Sequence, residues 1–108
     1  MKRAKVYVHD REAGVLIEDE NGFMFRYLDD YLGSEGAEAV SLTLPLRTEE
    51  YRDKVLFPFF DGLIPEGWLL NIAENSWKIN QRDRMSLLLA CCKDCIGAVS
   101  IIAEEEQL

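Results

Sequence analysis

The chain has 108 residues, which is enough for one domain and too few for two, and we expect residues 1–108 to form a single domain. Its hydrophobic share of 48% is typical of a globular protein. No apolar run approaches the roughly 20 residues that a membrane span needs. The net charge of −8 disfavours direct binding to nucleic acid and favours a basic protein surface as the partner.

The first third of the sequence predicts an antiparallel β-meander. Two short alternating segments, 5–9 and 14–18, are separated by a polar turn. Asn21-Gly22 is the strongest hairpin signal in the chain, because both residues tolerate a positive φ. It leads into a third strand over residues 23–27, which would place its three aromatic side chains on one face.

The middle of the chain predicts a loop and a fourth strand. Residues 28–38 are rich in glycine and acidic residues, which indicates a loop or a single helical turn. Residues 40–44 alternate in hydrophobicity and predict a strand that ends at Pro45. A polar connection over residues 48–51 follows.

The second half predicts two helices and a returning strand. Pro65 is well placed as the first residue of a helix over about 65–78. The next helix has a buried stripe at i, i+3, i+4 and i+7, formed by Met85, Leu88, Leu89 and Cys92. A last strand at 98–102 would return to the sheet. The predicted fold class is therefore α+β: a small antiparallel meander, then two helices and a C-terminal strand.

The three cysteines, Cys91, Cys92 and Cys95, are an odd number within five positions, which suits a reducing cytosol and predicts a cytoplasmic protein. Cys92 and Cys95 form a C-x-x-C motif at a helix end, where the helix dipole does not favour a thiolate. A zinc site would need two further ligands, and the single histidine, His9, is far away in sequence. We expect structural cysteines and neither metal nor cofactor; a small redox or metal enzyme is the alternative.

Other catalytic patterns are equally weak. His9 stands beside Asp10, but no G-x-S-x-G motif accompanies the pair, and the sequence has no phosphate-binding loop. Paired carboxylates such as Asp29 and Asp30 are expected by chance in so acidic a chain. We therefore predict no catalytic residue and no enzymatic activity.

Residues 57–68 combine aromatic residues, prolines and glycines more densely than any other segment. We expect at least two of their three phenylalanines to lie in the core. Trp68 follows the stiff Pro65-Glu66-Gly67 corner, where a tryptophan presents a large apolar surface at a low entropic cost, as binding hot spots do. The alternative is a Trp68 that caps the core of this same domain, and the sequence leaves both open.

The same segment carries a family resemblance. Residues 59–68, with F-F-x-x-L-I-P-E-G at 59–67, resemble the F-F-x-x-L-L-P-E-G block of HipA-type toxin kinases. Residues 83–88 (D-x-x-x-L-L) and 94–99 (D-C-x-G-A-V) resemble the two blocks that follow it there, in the same order and spacing. The strands before them also fit the N-terminal subdomain of that family, so the resemblance extends from about Lys5 to Ile102.

In that family the kinase core, with its ATP and magnesium ligands, follows this subdomain, and no positions here correspond to it. The chain begins at Met1 and ends just past its last predicted strand, as a free-standing gene product would, although a fragment of a full-length HipA would look the same. The resemblance therefore implies a split system. In such a system a HipS-like antitoxin accompanies a HipT-type kinase and a HipB-like helix-turn-helix repressor.

The resemblance implies that the chain binds and inhibits a HipT/HipA-like serine/threonine kinase, and that a HipB-like repressor is a further partner through the kinase complex. The alternative is a structural subunit that completes the kinase fold without inhibiting it. The expected partner-binding residues all lie in the aromatic segment and are Phe59, Phe60, Leu63, Ile64, Pro65, Glu66 and Trp68. No direct contact with nucleic acid or membrane is expected.

Overall fold

The computed structural model describes residues 2–64, 84–91 and 99–103. They contain a five-stranded antiparallel sheet in the order β4-β3-β2-β1-β5. The strands are β1 (Lys2–Val8), β2 (Arg11–Asp19), β3 (Gly22–Tyr27), β4 (Tyr51–Asp53) and β5 (Val99–Ala103). The helices of the described ranges are α1 (Asp29–Leu32), α2 (Pro58–Asp61) and α3 (Arg84–Cys91). None of them is both long and apolar enough to cross a membrane.

Two tight turns produce the meander of β1, β2 and β3. His9 and Asp10 join the first pair with φ of 51° and 65°, both in the left-handed region that a two-residue type I′ turn requires. Gly22 opens β3 with φ of 127°, and the N–H of Asn21 donates to Oδ1 of Asp19 at 2.8 Å. The predicted meander and its Asn21-Gly22 hairpin are confirmed. The first turn, however, is formed by His9 and Asp10, whereas the sequence predicted it at residues 10–12, and Arg11 and Glu12 already belong to β2.

The C-terminal strand returns to the sheet as predicted. β5 pairs antiparallel with β1, and Val6 lies opposite Ile101. Since β1 therefore has β2 on one side and β5 on the other, the two ends of the described chain lie in adjacent strands. The α+β fold class is confirmed, while the first predicted helix, 65–78, lies outside the described residues.

One face of the sheet carries the core. The strands contribute completely or almost completely buried side chains to this face, namely Ala4, Val6, Val8, Leu16, Phe25, Tyr27 and Ile101. α2 covers it with Phe60, and α3 covers it with Met85, Leu87 and Leu88. The predicted stripe of the last helix is therefore confirmed at Met85 and Leu88, with Leu89 partly buried and Cys92 outside the described residues.

The predicted strand at 40–44 is wrong. This segment forms a tight turn, with a single bridge between Ser41 and Leu44. The phenolic oxygen of Tyr27 accepts a hydrogen bond from the N–H of Val40 at 3.0 Å and donates one to the carbonyl of Leu44. These backbone groups therefore bond to a side chain and not to a neighbouring strand. The edge strand is instead β4, in the segment predicted as a polar connection and just after it.

Candidate partner-binding surface

The aromatic segment folds into a corner, which we define as residues 57–64. Phe57 is extended with ψ of 134°, as expected before a proline, and Pro58 begins α2. The N–H of Gly62 donates to the carbonyl of Pro58 at 2.9 Å and ends the helix. The N–H of Ile64 then donates to the carbonyl of Asp61 at 3.2 Å, so the chain continues turning after α2.

Phe60 connects this corner to the sheet. Its ring is fully buried and lies 5.4 Å from the ring of Phe25 on β3, at an interplanar angle of 62°. It also makes edge-to-face contacts with the rings of Phe57 and Phe59, at 6.3 Å and 5.2 Å. Each such pair contributes about 0.5–1.5 kcal/mol beyond the area that it buries. Phe57 and Phe60 are both buried, which confirms that two of the three phenylalanines belong to the core.

An ion pair connects the corner to the last helix. Nε of Arg84 on α3 donates to Oδ1 of Asp61 on α2 at 2.6 Å. The two side chains are 31% and 41% exposed, so solvent screens the pair and its contribution is on the order of 0.5 kcal/mol. It joins the side chains of α2 and α3 at the edge of the core.

The structure separates the predicted partner-binding residues into three groups. Phe60 and Ile64 lie inside the core, at 0% and 5% exposure, so they support the corner from within. Phe59 and Leu63 are half-buried at the edge of the core, where part of each side chain can reach another protein. The remaining three, Pro65, Glu66 and Trp68, lie outside the described residues.

Three tyrosines hold the loop between α1 and β4. The hydroxyl of Tyr27 bonds the two ends of the 40–44 turn, as described above. The hydroxyl of Tyr31 donates to the carbonyl of Glu38 at 2.7 Å and accepts from its N–H at 2.9 Å. The hydroxyl of Tyr51 donates to the carbonyl of Pro45 at 2.6 Å. Sequence reasoning missed this arrangement, because the tyrosines were considered only for their apolar rings.

Burial raises the pKa of the Tyr27 hydroxyl above its ordinary value of 10.0. The hydrogen bond from the N–H of Val40 opposes this effect, and the neighbouring hydroxyls of Tyr51 and Tyr31 add to it. Tyr27 is therefore neutral at physiological pH and can both donate and accept a hydrogen bond.

The polar side chains at the surface of the described residues do not form a recognisable catalytic or metal-binding site. A cavity of about 260 Å³ opens beside the β2–β3 hairpin, but the carboxylates of Asp19 and Asp53 at its wall already accept backbone N–H bonds. Nε2 of His9 lies 3.3 Å from Oε2 of Glu38, and both side chains are largely exposed. Among the residues that the structure describes, no group of three histidine, cysteine or acidic side chains could hold a metal ion. The C-x-x-C motif falls outside them.

Comparison with known proteins decides the family. Residues 4–102 match the sequence profile of the HipA N-terminal domain. The chain belongs to the HipA N-terminal domain family. A solved structure described as the N-terminal domain of HipA toxin is 32% identical to it and superimposes with a TM-score of 0.78, over 99% of this chain and 96% of that one. The predicted family resemblance is confirmed.

Two relatives show that this HipA N-terminal domain occurs in proteins of different length. An uncharacterised protein of Haemophilus influenzae is 33% identical over 106 residues, which are 98% of this chain and 96% of that protein. The candidate kinase Y4mE of Sinorhizobium fredii is 26% identical over 103 residues. That match covers 94% of this chain but only 24% of Y4mE, so the chain spans about a quarter of the kinase relative.

Proposed function

We propose that this domain is a non-catalytic antitoxin that binds a HipA-like serine/threonine kinase and inhibits it. The observation that carries the proposal is the contrast between the two relatives. The domain makes up about a quarter of a candidate kinase in one and nearly all of a short protein in the other. A domain whose family occurs joined to a kinase has a surface suited to a kinase core, and a separate copy can use that surface to bind such a core.

The corner supplies the proposed contact surface. Phe59 and Leu63 are half-buried on a segment that Phe60 connects to the sheet and that Asp61 connects to α3. The corner is therefore held by the sheet and by α3, which lowers the entropy that Phe59 and Leu63 lose on binding. In the proposed mechanism, Pro65, Glu66 and Trp68 contact the kinase cleft, and Trp68 occupies an apolar pocket there.

The charge of the chain supports the same partner class. A domain with a net charge of −8 is attracted to a basic surface, and kinases bind nucleotide phosphates with lysine and arginine side chains. We expect the association rate to fall as salt is raised, because screening weakens the long-range attraction. A HipB-like repressor would join this complex through the kinase.

Completion of the kinase fold without inhibition is the second candidate function. It is favoured by the close superposition on the N-terminal domain of HipA toxin, and by the occurrence of the domain within the longer Y4mE. The two functions predict different changes in kinase activity when the domain is added. An antitoxin lowers the activity, whereas a completing subunit leaves it unchanged or raises it.

The test uses a purified HipA-like kinase. Autophosphorylation is measured with and without the purified domain, and growth is followed in cells that express the kinase alone or with the domain. Inhibition together with rescued growth supports the antitoxin. Stable binding with unchanged or raised autophosphorylation supports the completing subunit. No binding, with growth still arrested, removes both.

Trp68→Ala tests the contact itself. If Trp68 is a hot spot, the substitution weakens binding by about 2 kcal/mol or more, which is roughly thirtyfold in Kd. Trp77→Ala is the matched control, since it removes the second tryptophan of the chain. A Trp68→Ala variant that keeps its affinity but loses folding stability would instead place Trp68 in the core of this domain.

A further inference from the structure

A fully exposed leucine lies at the tip of the 40–44 turn. Leu42 is 100% exposed, whereas Val40 and Leu44 on either side of it are buried in the core. Single exposed leucines are common on protein surfaces. Leu42 differs from an ordinary surface leucine in how its backbone is held and in what surrounds it.

The turn that presents Leu42 is fixed before any partner binds. The hydroxyl of Tyr27 bonds both of its ends. Within the turn, the N–H of Leu44 donates to the carbonyl of Ser41 at 3.1 Å, and the N–H of Thr43 donates to Oγ of Ser41 at 3.2 Å. Because the backbone of this turn is already fixed, binding orders only the side chain of Leu42, and this lowers the entropic cost of using it as an anchor.

Acidic residues flank this apolar tip in the sequence, and two of them are close to basic side chains: Glu38 lies near His9, and Glu50 pairs with Arg52. The segment 35–50 contains four glutamates and one arginine. The four glutamates are exposed, and they are Glu35, Glu38, Glu49 and Glu50. The single arginine, Arg47, lies 3.6 Å above the ring of Tyr51 and donates to the carbonyls of Glu49 and Glu50. The matching surface on a partner is therefore an apolar pocket with lysine or arginine at its rim.

The turn lies on the same side of the sheet as the corner. Phe25 and Tyr27 are two residues apart on β3 and share a face, with ring centroids 4.9 Å apart. Phe25 contacts Phe60 of the corner, and Tyr27 bonds the turn. A partner that contacts Phe59 and Leu63 is thus on the side of the molecule that also presents Leu42.

We propose that Leu42 is a second anchor for the kinase, inserted into an apolar pocket that basic side chains surround. The inference rests on the proposed function, because it takes the kinase as the partner, and it adds a contact that the corner does not supply. Leu42 contributes binding affinity, and the four glutamates contribute to the rate and the salt dependence of association.

The experiment measures the Kd of the full chain for the kinase by calorimetry, at low and at physiological salt. Leu42→Ser should weaken binding about tenfold or more, and Leu42→Met should retain most of the affinity. Val55→Ser is the matched control, since Val55 is also exposed, at 63%, and its change should alter Kd less than about twofold. Neither serine variant should lower the unfolding temperature, since both side chains face solvent.

Charge reversal gives an independent readout. The double change Glu49→Lys and Glu50→Lys should slow association and reduce its dependence on salt, whereas the dissociation rate should change little.

Three outcomes would overturn the inference. If the wild-type chain binds the kinase and Leu42→Ser binds equally well, Leu42 is no anchor and the proposed function still stands. If the wild-type chain does not bind the kinase, the role of Leu42 and the proposed function are both wrong. If Leu42→Ser instead changes the sedimentation of the chain alone from a dimer to a monomer, the turn is a contact between two copies of this chain.

Discussion

The hydroxyl of Tyr27 donates a hydrogen bond to the carbonyl of Leu44, which lies 17 residues further along the chain. The same oxygen accepts a bond from the N–H of Val40. One side chain at the end of β3 thus satisfies two buried backbone groups at the ends of the 40–44 turn. Because an unpartnered backbone group in the interior is costly, this arrangement determines where the loop between α1 and β4 lies.

Tyr27→Phe should therefore lower the free energy of unfolding by about 1–3 kcal/mol, since it leaves two buried backbone groups without their partner. For a domain of this size that is a fall in the unfolding temperature of roughly 5–15 °C. Tyr51→Phe is the control, because its bond to the carbonyl of Pro45 is exposed and water can replace it, at a cost below about 0.5 kcal/mol. Urea denaturation of both variants measures the difference, and equal losses would contradict the role given to Tyr27.

The raised pKa of Tyr27 predicts a loss of stability at alkaline pH. The unfolded chain releases this proton near pH 10, whereas the native chain retains it until its own, higher pKa. Between these two pKa values the unfolded state binds fewer protons than the native state. The free energy of unfolding therefore falls as pH rises, by at most about 1.4 kcal/mol per pH unit from this group. Below the unfolded pKa the contribution is fully present.

The measurement is urea denaturation of the wild type and of Tyr27→Phe from pH 8 to pH 11. The phenylalanine variant lacks the titrating hydroxyl, so the difference between the two proteins should shrink as pH rises above 10. Parallel pH profiles would show that the hydroxyl of Tyr27 titrates alike in the native and unfolded states.

The same tyrosine explains where sequence reasoning failed. Val40, Leu42 and Leu44 alternate as in a strand, and two of them are buried as a strand would bury them. What prevents a strand is the hydrogen bond that the N–H of Val40 donates to the hydroxyl of Tyr27, 13 positions away, which no local pattern can reveal. β4 was missed for the opposite reason, because its three residues are too few to show a period. The meander was predictable, since each of its signals is local.

For the candidate partner-binding surface, too, the sequence indicated the segment but not which of its side chains are exposed. The F-F-x-x-L-I-P-E-G pattern indicated the corner and the family. It could not distinguish Phe59, half-buried, from Phe60, which is fully buried against Phe25, because neighbouring phenylalanines differ here only in tertiary contacts. Leu42 was likewise indistinguishable from Leu44 in sequence, although one is fully exposed and the other lies in the core.

Gly22 should tolerate no side chain. Its φ is +127°, and a Cβ built on it would lie 2.4 Å from the carbonyl oxygen of Asp53 and 2.9 Å from Cα of Lys54. Gly22→Ala must therefore displace the backbone at the end of β4, and we expect a loss of about 2 kcal/mol or more. Gly36→Ala is the control, because its φ is also positive, at +77°, but its Cβ would meet nothing within 4 Å.

Gly36→Ala should cost only the backbone strain of about 1–2 kcal/mol. Hydrogen exchange localises the difference, since the amides that pair β3 with β4 should lose protection in Gly22→Ala and keep it in Gly36→Ala. If the two variants are equally destabilised and hydrogen exchange at β4 is unchanged, the short distance between a Cβ at position 22 and the carbonyl oxygen of Asp53 does not affect stability.

The ion pair between Asp61 and Arg84 should give a small but measurable coupling energy. In a double-mutant cycle with Asp61→Ala and Arg84→Ala, we expect about 0.5–1 kcal/mol at low salt, decreasing as salt is added. Lys5 and Glu12 form the control pair on the sheet, with nitrogen and oxygen 3.7 Å apart and both side chains 41% exposed. Their coupling should be weaker than that of Asp61 and Arg84, which are 2.6 Å apart. A coupling energy of zero between Asp61 and Arg84 would mean that packing around Phe60, and not this pair, holds α2 against α3.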